Sequence, residues 1–418
     1  MFLYFECSYF RRIPIKFMNR MYQLKINKKK FMTNDSDYRP EYFGECPLVQ
    51  MNKMLRLRNM LRGAKKAVIV AHKDPDGDAF GSTLAFKHYL HCRYPETKAT
   101  VILPNTDLAL NFSYLPGWGD IIDYSRCPQE AKGVIDEADL IVCLDFNNWS
   151  RLGRKSTLVD ALKQAAAKED TRLIHIDHHE KPDVMAGAPE DCIIHADFAI
   201  IKPERPSTCE ILTELFEDKI NDGMRFYEDE VGDENRDYIT EDCATCLYNG
   251  IMTDTINFTT RNPSWKTFYY ASDLIRKGAN NVFLYNKAYN EKPAEVYCLQ
   301  VAVEASTKKE GDAAWYIADQ ELLQRYNYKN GYLEGMPDKA LSISGVELSF
   351  GVREEKPGMF KVGIRSPKIY NCVKIAQALD KNGGGHTYAA NGSVYTDKRE
   401  DVEEAILNIL KHKEEFFL

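Results

Sequence analysis

Four stretches of the 418-residue chain concentrate side chains that can bind cations or move protons. The densest is 71–82, where His72, Asp74, Asp76 and Asp78 fall within seven residues around Gly77. Unpaired carboxylates so close together repel one another, and a divalent cation is the simplest relief. Asp and Gly are also ordinary turn residues, so this stretch alone fits a solvated acidic turn as well. Three later stretches carry related chemistry: Asp145, then Asp177-His178-His179, then Asp254. The pair Cys243 and Cys246 has neither a second pair nor a nearby His, which favours packing over zinc.

The elements around these residues are legible from periodicity. Ala67-Val-Ile-Val70 leads into the first acidic turn, and a helical pattern follows over 79–94, so the turn lies at the carboxyl end of a buried strand. Residues 99–104, 139–145 and 172–179 read as further short apolar strands, the last two ending on Asp145 and on Asp177-His178-His179. Helical patterns at 158–168, 207–216 (with Ser207 as its cap), from about 240, and at 265–277 alternate with them. Residues 111–124 read as a loop, and 217–242 as an acidic surface excursion. This alternation predicts an α/β fold with a doubly wound, mainly parallel sheet whose strand ends deliver Asp and His to one edge.

Past about residue 290 the pattern changes. Alternating patches at 313–318, 340–347 and 359–365 predict a smaller mixed sheet, with helices at 373–381 and from 401 onwards. Gly383-Gly-Gly-His386 suits a backbone nest that approaches an anion closely, and Arg365-Ser366 ends a strand that can face the same cleft. The expected organisation is a basic N-terminal extension at 1–50, a first domain at 51–290, a linker at 291–305 and a second domain at 306–418.

Composition narrows the function. With 44% hydrophobic and 28% charged residues the chain is of ordinary globular type. No apolar run approaches the roughly 20 residues that span a bilayer, so a membrane role is not expected. A net charge of −7 argues against wrapping long duplex nucleic acid but leaves room for short nucleotides held by a few cations. Residues 1–40 carry nine Lys/Arg against Glu6, Asp35 and Asp37, which reads as a disordered extension. Eleven scattered cysteines suit a reducing, cytoplasmic setting.

The series His72-x-x-x-Asp76-x-Asp78, Asp145, Asp177-His178-His179 and Asp254 resembles the four-motif signature of the DHH phosphoesterases. The tail with Arg365-Ser366 and Gly383–His386 is similar to their DHHA1 domain. In layout the chain is most similar to the nanoRNase type, bifunctional oligoribonucleases and 3′-phosphoadenosine-5′-phosphate (pAp) phosphatases. The resemblance spans about 60–415.

It implies a hydrolase that cuts short oligoribonucleotides to nucleoside monophosphates and dephosphorylates pAp through a water activated by two metal ions. It implies two Mn²⁺, with Mg²⁺ as the alternative: one held by His72 and Asp76, the other by Asp78 and His178. Asp145 bridges them and Asp254 completes the set. Such a donor set is hard and oxygen-rich, which suits these ions better than zinc. Asp177 orients an imidazole, and His179 contacts the scissile phosphate or protonates the leaving oxygen. Arg365, Ser366, Gly383, Gly384, Gly385 and His386 hold the far end of the substrate in a cleft between the domains. Rival readings are a cyclic-di-AMP or linear dinucleotide (pApA, pGpG) phosphodiesterase and, in another class, a non-catalytic nucleotide sensor. The expected partners are short RNA or a mononucleotide, not long duplexes or membranes, and a homodimer is allowed for.

Overall fold

Runs such as Lys66-Ala-Val-Ile-Val70 are too short for a buried helix and too apolar for a surface, and they form strands buried on both faces. The computed structural model describes residues 47–106, 112–153, 156–180, 190–217, 219–220, 224–225, 237–333 and 335–418. The chain divides into units 1–52 and 53–418. The described part of the first is the opening of helix α1 (Pro47–Gly63). The rest of the basic segment expected at 1–50 lies outside the described residues, as does most of the acidic stretch 217–242.

In the second unit six strands make one sheet: β1 (Lys66–Val70), β2 (Lys98–Leu103), β3 (Ile122–Asp123), β4 (Leu140–Leu144), β5 (Arg172–Asp177) and β6 (Phe198–Ile201). Their order is β3-β2-β1-β4-β5-β6, with every neighbouring pair parallel. The order reverses between β1 and β4, and open α/β sheets place ligands in the crevice beyond the strand ends at such a point. The strand β3 lies within the segment expected as loop.

Helices cover both faces. On one, Ala67, Ile69, Leu140, Val142 and Ile174 pack with α2 (Gly77–Arg93) and with two later helices, Thr208–Phe216 and Glu241–Asp254. On the other, Val68, Val70, Ile141 and Cys143 pack with α3 (Pro128–Asp136) and α4 (Thr157–Ala166). Helices α5 (Thr208–Phe216) and α6 (Glu241–Asp254) flank α2, with a small hairpin of β7 (Lys219–Ile220) and β8 (Met224–Arg225) between them in sequence. A Cβ at Gly81 of α2 would lie 2.6 Å from the Cys246 carbonyl of α6, so only glycine permits this approach. Helices α7 (Trp265–Arg276) and α8 (Asn281–Tyr285) complete the first layer.

Within the stretch expected as a linker, Ala294–Ala305 forms helix α9, and its Val296, Leu299 and Val303 are buried. The second sheet has the order β13-β14-β12-β11-β10-β9. Its strands are β9 (Lys308–Glu310), β10 (Ala313–Ala318), β11 (Leu348–Lys356), β12 (Met359–Arg365), β13 (Gly384–His386) and β14 (Ala389–Val394). Only the β10–β11 pair is parallel, so the sheet is mixed as expected. Helices α10 (Gln320–Arg325), α11 (Met336–Ala340), α12 (Cys372–Leu379) and α13 (Arg399–Lys411) accompany it.

Two expectations for this layer are corrected. The patch 340–347 is not a strand: Ala340 ends α11, Gly345 turns the chain with φ +77°, and the strand begins at Leu348. The glycine run is not an open nest, because Gly384–His386 pairs antiparallel with β14 as an edge strand. A Cβ at Gly383 would meet the Ala376 backbone, so that glycine answers a packing demand.

Candidate metal centre

The turn after β1 places the first donors. Asp76 caps α2, its Oδ1 accepting from the Asp78 and Ala79 amides, both at 3.0 Å. Its other oxygen, Oδ2, lies 3.7 Å from His72 Nε2. From the end of β4, on the far side of the strand-order reversal, Asp145 brings Oδ2 to 3.6 Å from His72 Nε2 and Oδ1 to 3.4 Å from His178 Nε2. Asp145 adopts φ +64°, a left-handed conformation that costs a non-glycine residue roughly 1–2 kcal/mol. His178, beyond β5, also lies 3.3 Å from Asp254 Oδ2 at the end of α6.

The donors form overlapping groups: His72, Asp76 and Asp145; Asp78, His178 and Asp254; and Asp145, His178 and His179. In each, one ligand atom per residue lies within 4.8 Å of the others. Asp145 belongs to two of them. All six residues expected as metal ligands are therefore brought together.

The imidazoles are oriented from behind. His72 Nδ1 is 2.9 Å from the Lys73 carbonyl and His178 Nδ1 is 3.3 Å from the Arg205 carbonyl. A carbonyl only accepts, so each Nδ1 carries a proton and each Nε2 is directed at the cluster. His179 Nδ1 lies 2.8 Å from Asp177 Oδ1, which also accepts the His179 amide at 3.1 Å. Asp177, the residue expected to orient an imidazole, is fully buried.

Charge explains what this set is for. Four carboxylates, of which Asp78 and Asp145 are almost fully buried, meet two imidazoles and need offsetting cations. Burial alone would lower the His72 pKa, but hydrogen bonds to Asp145 and Asp76 outweigh it and hold it well above the ordinary value. His178 is likewise raised, by Asp254 and Asp145 against burial. Burial, with Asp145 and Asp254 adding repulsion, lifts Asp78 well above the usual carboxylate range. Burial, reinforced by Asp76 and Asp145, pushes Asp254 up to about 7. Asp145 is held well below that range, since the two imidazoles outweigh its burial. Protons thus do part of the offsetting that a divalent cation does in full, and the donor set fits such an ion.

Several positioning residues were not foreseen from the sequence. The amides of Thr208 and Cys209, at the start of α5, donate to Asp78 Oδ2 at 2.6 Å and Oδ1 at 3.0 Å. The Thr208 hydroxyl donates to Asp145 Oδ1 at 3.1 Å. Arg205, whose carbonyl holds His178, is fixed by Glu210 at 2.7 Å and by a second ion pair to Glu214. The available signal was a Ser-Thr helix start just after a strand of the same sheet. Gly250 leaves room for this cluster: a Cβ there would lie 2.6 Å from Asp78 Oδ1.

A cavity of about 330 Å³ joins the Asp74-Pro75-Asp76 turn to the second sheet. Its lining includes Arg365, as expected, together with Arg353 and Lys361, which were not. Arg365 Nε donates to Asp338 Oδ2 at 3.2 Å. Ser366 is corrected: it is fully buried, its hydroxyl donating to the Glu347 carbonyl at 2.7 Å and accepting the Tyr370 amide. Gly383, Gly384 and Gly385 are not among the cavity's lining residues, and the side chain of His386 lies outside the described ones. Phe258 packs on Phe268 and Tyr248, whereas Phe112 lines the cavity.

Residues 66–251 match the DHH family, N-terminal domain, and residues 300–412 match the DHHA1 domain. An exopolyphosphatase-related protein from Bacteroides fragilis, known from its crystal structure, is 31% identical, with a TM-score of 0.71 over 86% of this chain and 96% of that one. The chain belongs to the DHH family. Among curated DHH relatives, a cyclic-di-AMP phosphodiesterase, GdpP of Geobacillus thermodenitrificans, is 26% identical over 79% of this chain. The chain spans 45% of the length of that relative. A probable bifunctional oligoribonuclease and PAP phosphatase, NrnA of Streptococcus mutans, is 23% identical over 82% of this chain and 94% of its own. Among the described residues of this DHH chain no helix is long and apolar enough to cross a membrane.

Proposed function

We propose that the chain is a metal-dependent phosphoesterase of short nucleotides, hydrolysing short oligoribonucleotides to monophosphates and removing the 3′-phosphate of pAp. The observation that carries this reading is Asp145, shared between His72 on one side and His178 on the other at 3.6 and 3.4 Å. One donor set is His72, Asp76 and Asp145, and the other is Asp78, His178 and Asp254, with Asp145 Oδ1 3.4 Å from His178 Nε2. Two bound Mn²⁺, with Mg²⁺ as the alternative, supply a water of lowered pKa and offset charge at phosphorus.

The chain's own residues do the rest. Asp177 holds His179 through Nδ1, so that the ring presents Nε2 as the proton donor to the leaving oxygen. Arg365 offers a forked contact to a substrate phosphate from the second sheet. In this reading 51–290 is the catalytic domain and 306–418 the substrate-binding domain. The nine described cysteines are free thiols, in keeping with a reducing, cytoplasmic setting. Coverage of 94% of a relative named for oligoribonuclease and PAP phosphatase activity favours these substrates over a cyclic dinucleotide.

The test is product release with Mn²⁺ from pAp, a short RNA, pApA, cyclic di-AMP and pyrophosphate in parallel. Turnover of pAp and the short RNA, with pyrophosphate untouched, is expected. Activity confined to cyclic di-AMP or pApA would move the substrate class to dinucleotide second messengers, and tight binding without turnover would make the chain a sensor.

A further inference from the structure

The cavity wall built by the second sheet is ordered in rows. On β11, Leu348, Phe350 and Val352 point into the core, and on β12 so do Phe360, Val362 and Ile364. The intervening residues therefore face the opposite side. There, register pairs Ser349 with Arg365, Gly351 with Gly363, and Arg353 with Lys361. Across to β14, Gly363 pairs with Asn391. The cation-bearing rows are thus separated by a row without bulky side chains on β11 and β12. Pro337 closes over part of that row, since a Cβ at Gly351 would lie 2.5 Å from Pro337 Cγ, while one at Gly363 would clear it at 3.5 Å.

The two cationic ends differ in charge balance. Arg365 is matched by one carboxylate, Asp338. Arg353 and Lys361 share a single carboxylate: Glu355 lies 2.7 Å from Arg353 Nη2 and 4.0 Å from Lys361 Nζ. Among the described residues one positive charge is therefore left over at the Arg353–Lys361 end. Lys361 and Arg365 stand four residues apart on β12, about 13 Å between Cα positions, which leaves room for two phosphates with a nucleoside between them.

Resting on the phosphoesterase reading above, we propose that Arg353 and Lys361 form a second anion-binding end of the cleft. It takes a different phosphate of the substrate chain from the one at Arg365, with a nucleoside lying over the Gly363–Pro337 shelf between them. The substrate class this selects is a linear oligonucleotide carrying two phosphates beyond the scissile one. The first that qualifies is a 5′-phosphorylated trinucleotide.

The test is equilibrium binding of pApA and pApApA to the full chain by calorimetry in EDTA, where no turnover occurs. The wild type should bind pApApA more tightly than pApA. R353Q/K361Q should weaken pApApA about tenfold, one charge-assisted contact's worth, and change pApA less than twofold. E355Q, which frees both cations, should tighten pApApA, a gain that misfolding cannot produce. An equal loss for both ligands, or no change for either, would overturn the inference. If the wild type binds with this length preference but hydrolyses none of the nucleotides, the phosphoesterase reading fails while the second anion end stands.

Discussion

Thr208 donates its hydroxyl to Asp145 Oδ1 at 3.1 Å while its amide donates to Asp78 Oδ2 at 2.6 Å, so one residue at the start of α5 holds a carboxylate from each donor set. Removing the hydroxyl leaves the amide contact but frees one side of Asp145. T208V should lower Mn²⁺ affinity about tenfold, within the range for groups that orient metal ligands, while T208S retains it. Metal titration followed by calorimetry checks this. Unchanged affinity in T208V, with thermal stability preserved, would mean that Asp145 is held by its backbone alone.

A second prediction concerns protons. Without a cation, His72 and His178 have pKa values raised above the unfolded value of about 6.5, and Asp254 is raised to about 7 from about 4. All three bind protons more tightly folded than unfolded. Their contribution to stability is therefore present at low pH and lost as pH rises: from about 4 to about 7 for Asp254, and from about 6.5 upwards for the imidazoles. Asp145 and Asp76, both lowered, oppose this only below about pH 4. The metal-free protein should thus lose thermal stability between pH 5 and 8, and Mn²⁺ should flatten the slope by displacing those protons. Calorimetry in buffers of different ionisation enthalpy near pH 7 should show net proton release, smaller in D254N.

Asp177 and His179 form the third case. With Asp177 Oδ1 at 2.8 Å, Nδ1–H is fixed and the opposite nitrogen is available for acid–base work. D177N should cut kcat about 10²-fold with little change in metal affinity. H179A should do the same on substrates with poor leaving groups and much less on a nitrophenyl phosphodiester, whose leaving group needs no proton. Equal losses on both would remove the proton-donor role.

The strand ends of the first sheet were readable because each motif follows a short, wholly apolar run, and buried parallel strands have that pattern. What brings the motifs together was not. Thr208 meets Asp78 across 130 positions of sequence and Asp145 across 63, and nothing local in a Ser-Thr helix start reports either partner. The second sheet misled for another reason. Apolar alternation at 340–347 belongs to a helix end and turns, and the Arg353-Glu-Glu-Lys356 run looks like a solvated hairpin. Only the pairing of Gly351 with Gly363 reveals that Arg353 and Lys361 share a face with Arg365. Ser366 lies just past the end of the strand, where its hydroxyl is taken up by the Glu347 carbonyl and the Tyr370 amide.

Arg365 gives the last prediction. Arg365 lines the cavity and is balanced by Asp338 at 3.2 Å. A group that anchors a non-reacting phosphate contributes equally to ground and transition states, so its loss raises KM and leaves kcat. R365A also leaves Asp338 unpaired in the cleft, where its charge repels phosphate, so KM should rise by more than the lost contact. R365A/D338N removes that repulsion and should recover part of the rise. Steady-state kinetics on pAp and a short RNA decide it: a fall in kcat that matches the change in kcat/KM would place Arg365 at the reacting phosphorus instead.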